Sequence, residues 1–474
     1  MIRLKLALFL LLALVTCTAL WHRYKPLPDG LGHDAPLLPT HGLTLLVDDT
    51  WETTAGGRGL RQQIFDEILR LIDQAQQLVV LDMFLFNTFG ASDRDVRPLS
   101  RELTLALVRK QQQHPDLPII LITDPINTLY GGLESDSLSQ LRDAGITVVT
   151  TPLHRLRDSN PSWSGFWRVC CQWLGNSHDG GWLPNPMGDG KVTLRSYLAL
   201  LNFKANHRKT LVVDEGDQWT ALVTTANPHD ASSAHSNLGI TFQGPAVNAL
   251  LDSELAVARL ADANLPALPA PPEASDSATA PAQLQVLTEG AIRDALLATI
   301  DRSQRGESLD VSVFYLSHRP LVKALLAAHG RGVAVRVLLD PNKDAFGRQK
   351  NGIPNRQVGA ELHRAGIPVR WCNTRGEQCH TKMLLRRGPS RSELIVGSAN
   401  FTRRNLDNLN LESSVRVLAT TQHPIINDVR AAFLRRWENR HDEKHSTDYA
   451  VYADEAGWKY WLYRVMEFTG WSSF

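Results

Sequence analysis

Runs of nearly continuous apolar residues alternate with amphipathic stretches along most of the chain. In the first half, the pattern predicts strands at residues 43–47, 79–86 and 118–125, and helices at about 59–76 and 98–112. Strands that are apolar along their whole length are covered on both faces of their sheet. The pattern therefore predicts an α/β sandwich.

The same order of elements returns in the second half. Between the halves, residues 263–282 carry five prolines among alanines and serines, which indicates a linker. The repeated order predicts two units with one plan. The second unit has predicted strands at 284–287, 309–314 and 333–341, and predicted helices from Ala291 and from Pro320.

Two H-x-K segments occur, one in each half. The first is His207-Arg208-Lys209 and the second is His380-Thr381-Lys382; each histidine is followed by an asparagine 20 residues later and by another 30 residues later. Matched spacing in two copies indicates a duplicated unit, which can bring two of each side chain to one pseudo-symmetric site. The asparagines are Asn227 and Asn400 at the shorter distance, and Asn237 and Asn410 at the longer one.

These side chains suit nucleophilic substitution at phosphorus. Alternate residues of a strand share a face, so the histidine and the lysine of each segment project together. One imidazole attacks a phosphodiester and the other protonates the departing oxygen, while the lysines and asparagines neutralise the non-bridging oxygens. The arrangement requires no metal or other cofactor, and no H-x-x-H or C-x-x-C cluster accompanies it.

His207-x-Lys209-x4-Asp214 with Asn227, and His380-x-Lys382 with Gly397-Ser398-Ala399-Asn400, resemble the phospholipase D superfamily, in particular its cardiolipin-synthase-like, membrane-anchored bacterial members. The resemblance covers about residues 40–440. It implies two pseudo-repeated α/β/α sandwich domains with the active site between them, and metal-independent transfer through a phosphohistidine to an alcohol or to water.

The resemblance also implies roles for individual residues. His207 is expected to be the nucleophile and His380 the general acid, while Glu412 orients one imidazole. Asp214 is expected to be structural. Substrate contacts are expected from Ser398 and Thr225.

Three positions depart from the family pattern. Arg387 stands where the second copy should have its aspartate, and Gly239 stands where Glu412 should have a counterpart. Thr224-Thr225 replaces the glycine pair or Gly-Ser of the asparagine motif. Arg387 and Gly239 support a rival hypothesis, a catalytically inactive membrane scaffold.

The N-terminus predicts a membrane anchor. Arg3 and Lys5 precede an uncharged run, residues 6–21, which at about 1.5 Å a residue spans roughly 24 Å of an apolar bilayer core of about 30 Å. We expect residues 1–24 to be an uncleaved, single-pass signal anchor in the inner membrane, with the catalytic body in the periplasm. The alternative is a buried helix of the fold.

Two aromatic segments add to this picture. An insert at about residues 152–200 carries Trp163, Phe166 and Trp167 at helical spacing, and the tail 443–474 is rich in tryptophan. Each segment either packs on the core or lies at a membrane interface. With these segments the predicted organisation is 1–24, anchor; 40–262, first domain; 263–282, linker; 283–442, second domain; 443–474, tail.

Two further residue groups leave alternatives open. Cys372 and Cys379 either form a disulfide, as an exported protein allows, or remain free thiols. His229 and His235 either line the pocket or cap a Ser/Asp-rich loop.

Composition narrows the choice of partner. A net charge of +1 gives no basic footprint for nucleic acid, so a nuclease of the same superfamily is the less favoured enzyme. The expected partners are a phospholipid substrate and the membrane, with no obligate protein partner. The expected reaction is phosphatidyl transfer, as in cardiolipin synthesis, or phospholipase D hydrolysis.

Overall fold

The computed structural model describes residues 1–91, 96–216, 218–270, 281–345 and 348–474. Its first half contains β1 to β10. They are β1 Leu38–Glu52, β2 Arg58–Arg61, β3 Val79–Met83, β4 Ile119–Thr123, β5 Thr147–Thr150, β6 Leu183–Pro184, β7 Lys191–Val192, β8 Lys209–Glu215, β9 Gln218–Thr224 and β10 Asn237–Gln243.

The second half contains β11 to β20. They are β11 Ala282–Thr288, β12 Ser308–Val313, β13 Ala334–Leu339, β14 Asp344–Ala345, β15 Arg348–Gln349, β16 Val369–Cys372, β17 Lys382–Arg387, β18 Arg391–Gly397, β19 Ser413–Thr420 and β20 Ser446–Asp448.

The α-helices flank these strands. They are α1 Ile2–Tyr24, α2 Ile64–Gln74, α3 Leu99–Gln113, α4 Asp136–Asp143, α5 Pro161–Cys170, α6 Leu194–Leu200, α7 Ala246–Leu260, α8 Gly290–Asp301, α9 Arg319–Gly330, α10 Asn355–Arg364, α11 Arg403–Leu406, α12 Pro424–Glu438 and α13 Gly457–Thr469.

Within the described residues, sixteen strands form one sheet, and β1 and β11 pair antiparallel at its centre with Leu38 opposite Leu284. Read outward from this pair, the order is β10-β9-β8-β3-β4-β5 on one side and β19-β18-β17-β12-β13-β16 on the other. The two orders match strand for strand. A pseudo-twofold axis therefore passes between β1 and β11, and the expected α/β sandwich is confirmed.

The core has one shared layer and two separate layers. On one face of the sheet, α7 of the first half and α12 of the second half bury their apolar side chains in one continuous cluster. On the other face, α2, α3 and α4 cover the first half and α8, α9 and α10 cover the second. The shared layer holds the two halves together along the pseudo-twofold axis.

One predicted helix begins later than the sequence indicated. Residues 59–61 belong to β2, which pairs with β1, and α2 begins only at Ile64. The carboxylate of Asp48 accepts hydrogen bonds from the backbone N–H groups of Gln63 (2.7 Å) and Ile64 (3.1 Å). This long-range contact supplies partners for the first amides of the helix and fixes its start.

The regions outside the repeat lie at the edges of the body. Half of the predicted linker, 263–282, falls on residues 271–280, which are outside the described residues, and β11 already begins at Ala282. The insert forms α5, α6 and the β6–β7 hairpin. The tail contributes β20, which pairs with β16, before it forms α13.

Candidate active site

Each H-x-K segment is bridged to the opposite half of the molecule. The backbone N–H of His207 donates to the carbonyl oxygen of Leu411 (2.8 Å), and the N–H of His380 donates to the carbonyl oxygen of Ser236 (2.8 Å). The N–H of Ser236 in turn donates to Gln378 (2.9 Å). Two equivalent bridges across the pseudo-twofold axis bring both histidines to the junction of the halves.

A cavity of about 990 Å³ lies at this junction. His207, His380, Asn227 and Asn400 all line it, so the structure brings the two copies of the motif together. Each histidine keeps 8% of its surface exposed. The rest of the cavity wall mixes polar side chains, among them Lys204, Lys350 and Arg404, with apolar and aromatic ones, which include Phe84, Leu200, Phe203, Phe314, Tyr315 and Phe474.

His207 is paired with the carboxylate of the second half. Its Nδ1 lies 3.0 Å from Oε2 of Glu412. Oε2 also accepts a hydrogen bond from the Ser398 hydroxyl, and Oε1 of Glu412 accepts one from the Asn405 amide. Burial lowers the pKa of His207 to about 4, although Glu412 opposes this shift. Burial alone would raise the pKa of Glu412, but His207 and Lys209 hold it below its usual value.

His380 has an amide in the corresponding place. Its Nδ1 lies 3.1 Å from Oδ1 of Asn237, which also accepts a hydrogen bond from the Thr225 hydroxyl (2.9 Å). The Nδ2 of Asn237 donates to the carbonyl oxygen of His235 (3.0 Å), so the amide oxygen is the atom that faces His380. Burial first, and then Lys382, lower the pKa of His380 well below its ordinary value.

The two imidazoles therefore present the same edge but have different supports. Glu412 and Asn237 accept hydrogen bonds at Nδ1, which leaves Nε2 of each ring on the cavity side. A carboxylate stabilises a charged imidazole more strongly than an amide does. The pseudo-symmetric site is chemically asymmetric.

Both lysines are buried beside their histidines. The Nζ of Lys209 donates to the carbonyl oxygen of His207, and the Nζ of Lys382 donates to the carbonyl oxygen of His380 (2.7 Å). Burial lowers the pKa of Lys209 to about 7. Burial, together with the charge of Lys209, lowers the pKa of Lys382 well below its usual value. Neither lysine lines the cavity, so each acts on a bound anion from beneath the cavity wall, and an anion there would favour the protonated form of both.

Phe84 and Phe314 are site residues that the sequence analysis missed. The ring centroid of Phe84 lies 4.8 Å from that of His207, and Phe314 lies 5.2 Å from His380. Each phenylalanine directly follows a matched strand, β3 or β12, opposite the start of an H-x-K strand. This equivalent position in the repeat is the signal that could have identified them.

The two motif asparagines line the same cavity with different contacts. The Oδ1 of Asn227 accepts a hydrogen bond from the backbone N–H of Leu85 (3.3 Å). The Oδ1 of Asn400 is buried and has no hydrogen-bond partner among the described residues. The Asn400 amide is therefore the less constrained of the two.

Asp214 lies outside the cavity. Its carboxylate accepts hydrogen bonds from the backbone N–H groups of Gln76 (3.0 Å), Gln77 (2.8 Å) and Leu78 (2.9 Å), which form the turn between α2 and β3. This geometry agrees with the structural role expected for Asp214. Its counterpart Arg387 lies at the end of β17, equally outside the cavity lining.

The positions of Ser398 and Thr225 correct the expectation that they contact substrate. Both side chains are fully buried, and neither lines the cavity. The Ser398 hydroxyl donates to Glu412, and the Thr225 hydroxyl donates to Asn237. Ser398 and Thr225 therefore position Glu412 and Asn237, which in turn contact the histidines. Their short side chains lie beneath the cavity wall.

Two buried aspartates also position the motif, and the sequence analysis missed them. Asp124 accepts a hydrogen bond from the backbone N–H of Asn206 (2.7 Å), and Asp340 accepts one from Cys379 (2.8 Å). Asn206 and Cys379 immediately precede the two histidines. Burial raises the pKa of Asp124 to about 7 and that of Asp340 to about 6. An Asp-Pro pair after each matched strand was the available signal.

The two neighbouring histidines have separate places. His235 lines the cavity, with its ring centroid 5.8 Å from that of His380. His229 contacts a loop instead, through the Phe89 carbonyl oxygen (2.8 Å) and the Ser232 hydroxyl (3.1 Å). One of the two alternatives therefore applies to each residue.

A disulfide joins Cys372 to Cys379, the residue before His380. It closes the turn that leads from β16 to the second H-x-K segment. Cys170 and Cys171 form a second disulfide at the end of α5, and Cys17 in α1 is free. The pairing at Cys379 adds to Asp340 in fixing the approach to His380.

A family profile and a curated relative match parts of this chain. The profile described as "Cardiolipin synthase, PLD-like domain" matches residues 296–437, which contain His380, Asn400 and Glu412. The mitochondrial cardiolipin hydrolase of Danio rerio is 33% identical over 131 residues, which make up 28% of this chain and 51% of the relative. Residues 296–437 therefore match a phospholipase D-like domain, and the chain is similar to members of the phospholipase D superfamily. Its match spans about half the length of that relative.

Solved structures extend the likeness to the phospholipase D fold over most of the chain. The phosphatidylserine synthase of Haemophilus influenzae aligns with a TM-score of 0.57 and 11% identity, covering 91% of this chain and 94% of that one. This likeness shows the fold. Nuc of Salmonella typhimurium, a phospholipase D family member, is 25% identical but covers only 35% of this chain, with a TM-score of 0.27.

Proposed function

We propose that this protein is a phospholipase D superfamily enzyme that transfers the phosphatidyl group of a glycerophospholipid to an alcohol or to water through a phosphohistidine. One observation carries the proposal: two imidazoles line one cavity, each held at Nδ1 by a side chain of the opposite half. The reactive Nε2 atoms are thereby available to one phosphodiester.

In the first step, Nε2 of His207 forms a bond to phosphorus while the bond from phosphorus to the leaving alcohol breaks. The leaving oxygen takes the proton from Nε2 of His380, which becomes neutral. Glu412 accepts the hydrogen bond from Nδ1 of His207 and stabilises the positive charge of the phosphorylated ring. Lys209 and Lys382 balance the negative non-bridging oxygens.

In the second step, neutral His380 removes the proton from the incoming alcohol or water. The new oxygen bonds to phosphorus as the phosphorus–nitrogen bond to His207 breaks, and both histidines return to their starting states. Atoms and charges balance without an external acid or base. The acceptor decides between a transferase and a phospholipase D product.

The supports of the rings favour this division of roles. The nucleophile carries a full positive charge once it is phosphorylated, and the ring beside a carboxylate, His207, accommodates that charge better. His380 faces a neutral amide and two lysines, which favour loss of its proton. The anionic substrate raises the pKa of His380 before reaction, so that the ring enters the step protonated.

Several features support a lipid substrate and a membrane location. The cavity combines aromatic and aliphatic side chains with the cations Lys204, Lys350 and Arg404, a lining that suits a phosphate group joined to a glycerol–acyl region. Helix α1, 23 residues long, has the length and composition to cross a membrane once. The Cys372–Cys379 disulfide fits an oxidising compartment, so we infer a periplasmic body anchored in an inner membrane.

The asymmetry at Arg387 and Gly239 gives little support to the inactive-scaffold alternative. Asn237 supplies the acceptor that Gly239 cannot supply, and Arg387 lies away from the cavity lining. Glu307 fixes the turn before β12 by accepting the backbone N–H of Gln304 (3.0 Å). The structural task of Asp214 therefore has a substitute in the second half.

The decisive assay uses purified full-length protein with phosphatidylglycerol vesicles and, separately, with single-stranded DNA, in the presence of EDTA. We expect cardiolipin or phosphatidic acid to form, and we expect His207→Ala to abolish it. Cleavage of DNA instead would identify a nuclease. Turnover of neither substrate would favour a scaffold.

The roles of the histidines predict an intermediate that can be trapped. With a phosphatidyl ester of p-nitrophenol, whose leaving group departs without a proton from His380, the His380→Ala variant should accumulate an acid-labile phosphoenzyme, because nothing activates the incoming alcohol or water. His207→Ala should form none. Intact-protein mass spectrometry after rapid quenching measures the adduct, and an adduct found only in His207→Ala would reverse the assignment.

A further inference from the structure

Helix α13 packs on the body through a side that carries both polar and apolar residues. Tyr463 is fully buried and its hydroxyl lies 3.1 Å from a guanidinium nitrogen of Arg319. Glu467, also buried, accepts a hydrogen bond from the Ser317 hydroxyl (2.7 Å) and another from the backbone N–H of Arg403 (2.8 Å). The helix is therefore attached both by these hydrogen bonds and by apolar packing, since Tyr460 and Met466 also contact the core of the second half.

The outward side of α13 is apolar. Trp458, Trp461, Val465 and Phe468 follow one another at helical spacing, and Trp461 and Phe468 are 67% and 78% exposed. A contiguous apolar stripe of this kind marks a surface that contacts another apolar phase.

The C-terminal end of helix α13 packs against the insert. The indole Nε1 of Trp471 donates to the hydroxyl of Ser162 in α5 (2.8 Å). Gly470 passes so close that a Cβ atom there would lie 1.9 Å from the carbonyl oxygen of Ser159. On the insert, Phe166 and Trp173 continue the exposed apolar surface, at 46% and 77% exposure.

Helix α5 in turn packs directly on α1. A Cβ atom at Gly165 would lie 2.7 Å from Cβ of Ala19 and 2.8 Å from the carbonyl oxygen of Val15, so the two helices touch at backbone distance. The N–H of Asp158 donates to the carbonyl oxygen of His22 (2.9 Å). The buried residues of α5 are Ser164, Gly165 and Arg168, while its aromatic side is left partly exposed.

The contact with α1 sets the depth of this surface. From Val15 to Trp21, α1 rises roughly 9 Å at about 1.5 Å a residue. One headgroup region is about 5 to 8 Å deep. An anchor whose uncharged run ends at Trp21 therefore holds α5 at, and partly below, the headgroup layer, where indole rings are favoured.

We propose that the exposed aromatic and apolar side chains on and beside α5 and α13, here called the aromatic collar, bind the phospholipid bilayer on the side where α1 leaves the membrane. The bilayer is the one occupant that adjoins α1, α5 and α13 together. The collar consists of Phe166, Trp173, Trp461, Val465, Phe468 and Trp471.

The collar adjoins the wall of the catalytic cavity. Phe474, three residues after Trp471, lines the cavity, as does Leu200 at the end of α6. The Trp163 indole N–H of α5 donates to the carbonyl oxygen of Leu198 in α6 (2.9 Å). These contacts place the cavity beside the membrane leaflet that the collar binds. If the proposed function holds, a phospholipid enters the cavity from the membrane rather than from water.

Photo-cross-linking tests the collar. Benzoylphenylalanine replaces Trp461 or Phe468 in the full-length protein, reconstituted in vesicles of phosphatidylcholine with an alkyne-tagged phosphatidylglycerol. Leu105, an exposed apolar residue on α3 at 45% exposure, is the matched control position. Phe9 in α1 is the positive control. We expect lipid adducts at positions 461 and 468 to exceed those at 105 by at least about fivefold.

Two results would overturn the proposal. The first is labelling at positions 461 and 468 no stronger than at 105 while position 9 is labelled. The second is cross-linking of either position to a second copy of the chain, which would make the surface a protein interface. Labelling requires no turnover, so an inactive protein can still carry a lipid-bound collar, and an active one can lack it.

Discussion

At the scale of single residues, the central feature is the unequal support of the two histidines. Glu412 gives His207 a charged partner, while Asn237 gives His380 a neutral one. The Asn410 amide, the counterpart of Asn237 in the repeat, accepts a hydrogen bond from the backbone N–H of Ala205 instead (3.1 Å). Asn237 is thus a positioning residue, and its neutral amide does not raise the pKa of the proposed general acid, His380, as a carboxylate would.

The Asn237→Asp substitution should shift the pH dependence of activity. A carboxylate about 3 Å from Nδ1 favours protonated His380 and raises its pKa by about 1 to 3 units. A general acid with a higher pKa stays protonated to higher pH. The limb on which kcat/KM falls with rising pH should therefore move upward by at least about one unit, as a pH–rate profile measures.

The Asn237→Ala variant is the control for this shift. It removes the acceptor without adding charge, so it should lower kcat with no upward movement of the limb. If Asn237→Asp folds, retains activity and keeps the wild-type profile, then His380 is not the group that titrates on that limb.

Sequence reasoning found most of these residues but not all of their partners. The family resemblance pointed to Glu412, and its contact is with His207, 205 residues away in the chain. The repeat spacing pointed to Gly239 as a loss, whereas Asn237, two positions earlier, supplies the contact to His380. Which side chain of one half meets the other half depends on the register of two distant bridges.

At the scale of elements, matched turns of the two halves are fixed in different ways. In the first half Asp214 satisfies the backbone amides between α2 and β3. In the second half the turn between α8 and β12 is fixed by Glu307, which also pairs with Arg386 (2.7 Å). The duplicated fold kept the turn and replaced the residue that stabilises it.

The Asp214→Asn substitution should destabilise the protein without a direct effect on the site. It weakens three charge-assisted hydrogen bonds to buried amides, which we expect to lower the free energy of unfolding by about 2 to 3 kcal/mol. Denaturant titration of the detergent-solubilised protein measures this change. The pH–rate profile of the folded fraction should keep its wild-type shape.

Arg387→Ser is the matched control at the equivalent position. Its guanidinium forms no ion pair among the described residues, so we expect a change within about 0.5 kcal/mol. A large loss of stability in Arg387→Ser, or none in Asp214→Asn, would contradict this account of the two turns.

At the scale of the whole molecule, buried ion pairs cross between the halves. Arg208 of the first H-x-K segment lies 2.8 Å from Glu289 of the second half and 3.3 Å from Glu254. Glu289 also accepts the backbone N–H of Glu412 (3.1 Å). The joint between the halves therefore connects directly to the carboxylate that supports His207.

The Arg208→Met substitution should both destabilise the protein and slow it. Removing one partner leaves Glu289 buried without its cation, which costs about 3 to 5 kcal/mol. A displaced Glu412 should lower kcat with a smaller effect on KM. Denaturant titration and steady-state kinetics on vesicles measure the two effects.

A second substitution separates the charge from the packing. Arg208→Met combined with Glu289→Gln removes one of the two buried carboxylate charges that Arg208 balances, the other being Glu254, and should recover part of the lost stability. Arg302→Met, which breaks a pair between half-exposed Arg302 and Glu393, should cost less than about 1 kcal/mol. Equal losses for Arg208→Met and Arg302→Met would contradict the importance of the inter-half pair.

The local and periodic features of this protein were predictable from its residues alone. Apolar strand patterns, the matched H-x-K spacing and the N-terminal apolar run depend on neighbouring residues, so the α/β class, the repeat and the candidate membrane helix were predictable. Three features became visible only in the folded chain. They are which half supports which histidine, the position of Ser398 beneath the cavity, and the exposure of the apolar side of α13. Those outcomes depend on contacts between residues far apart in the chain, whose register no local pattern records.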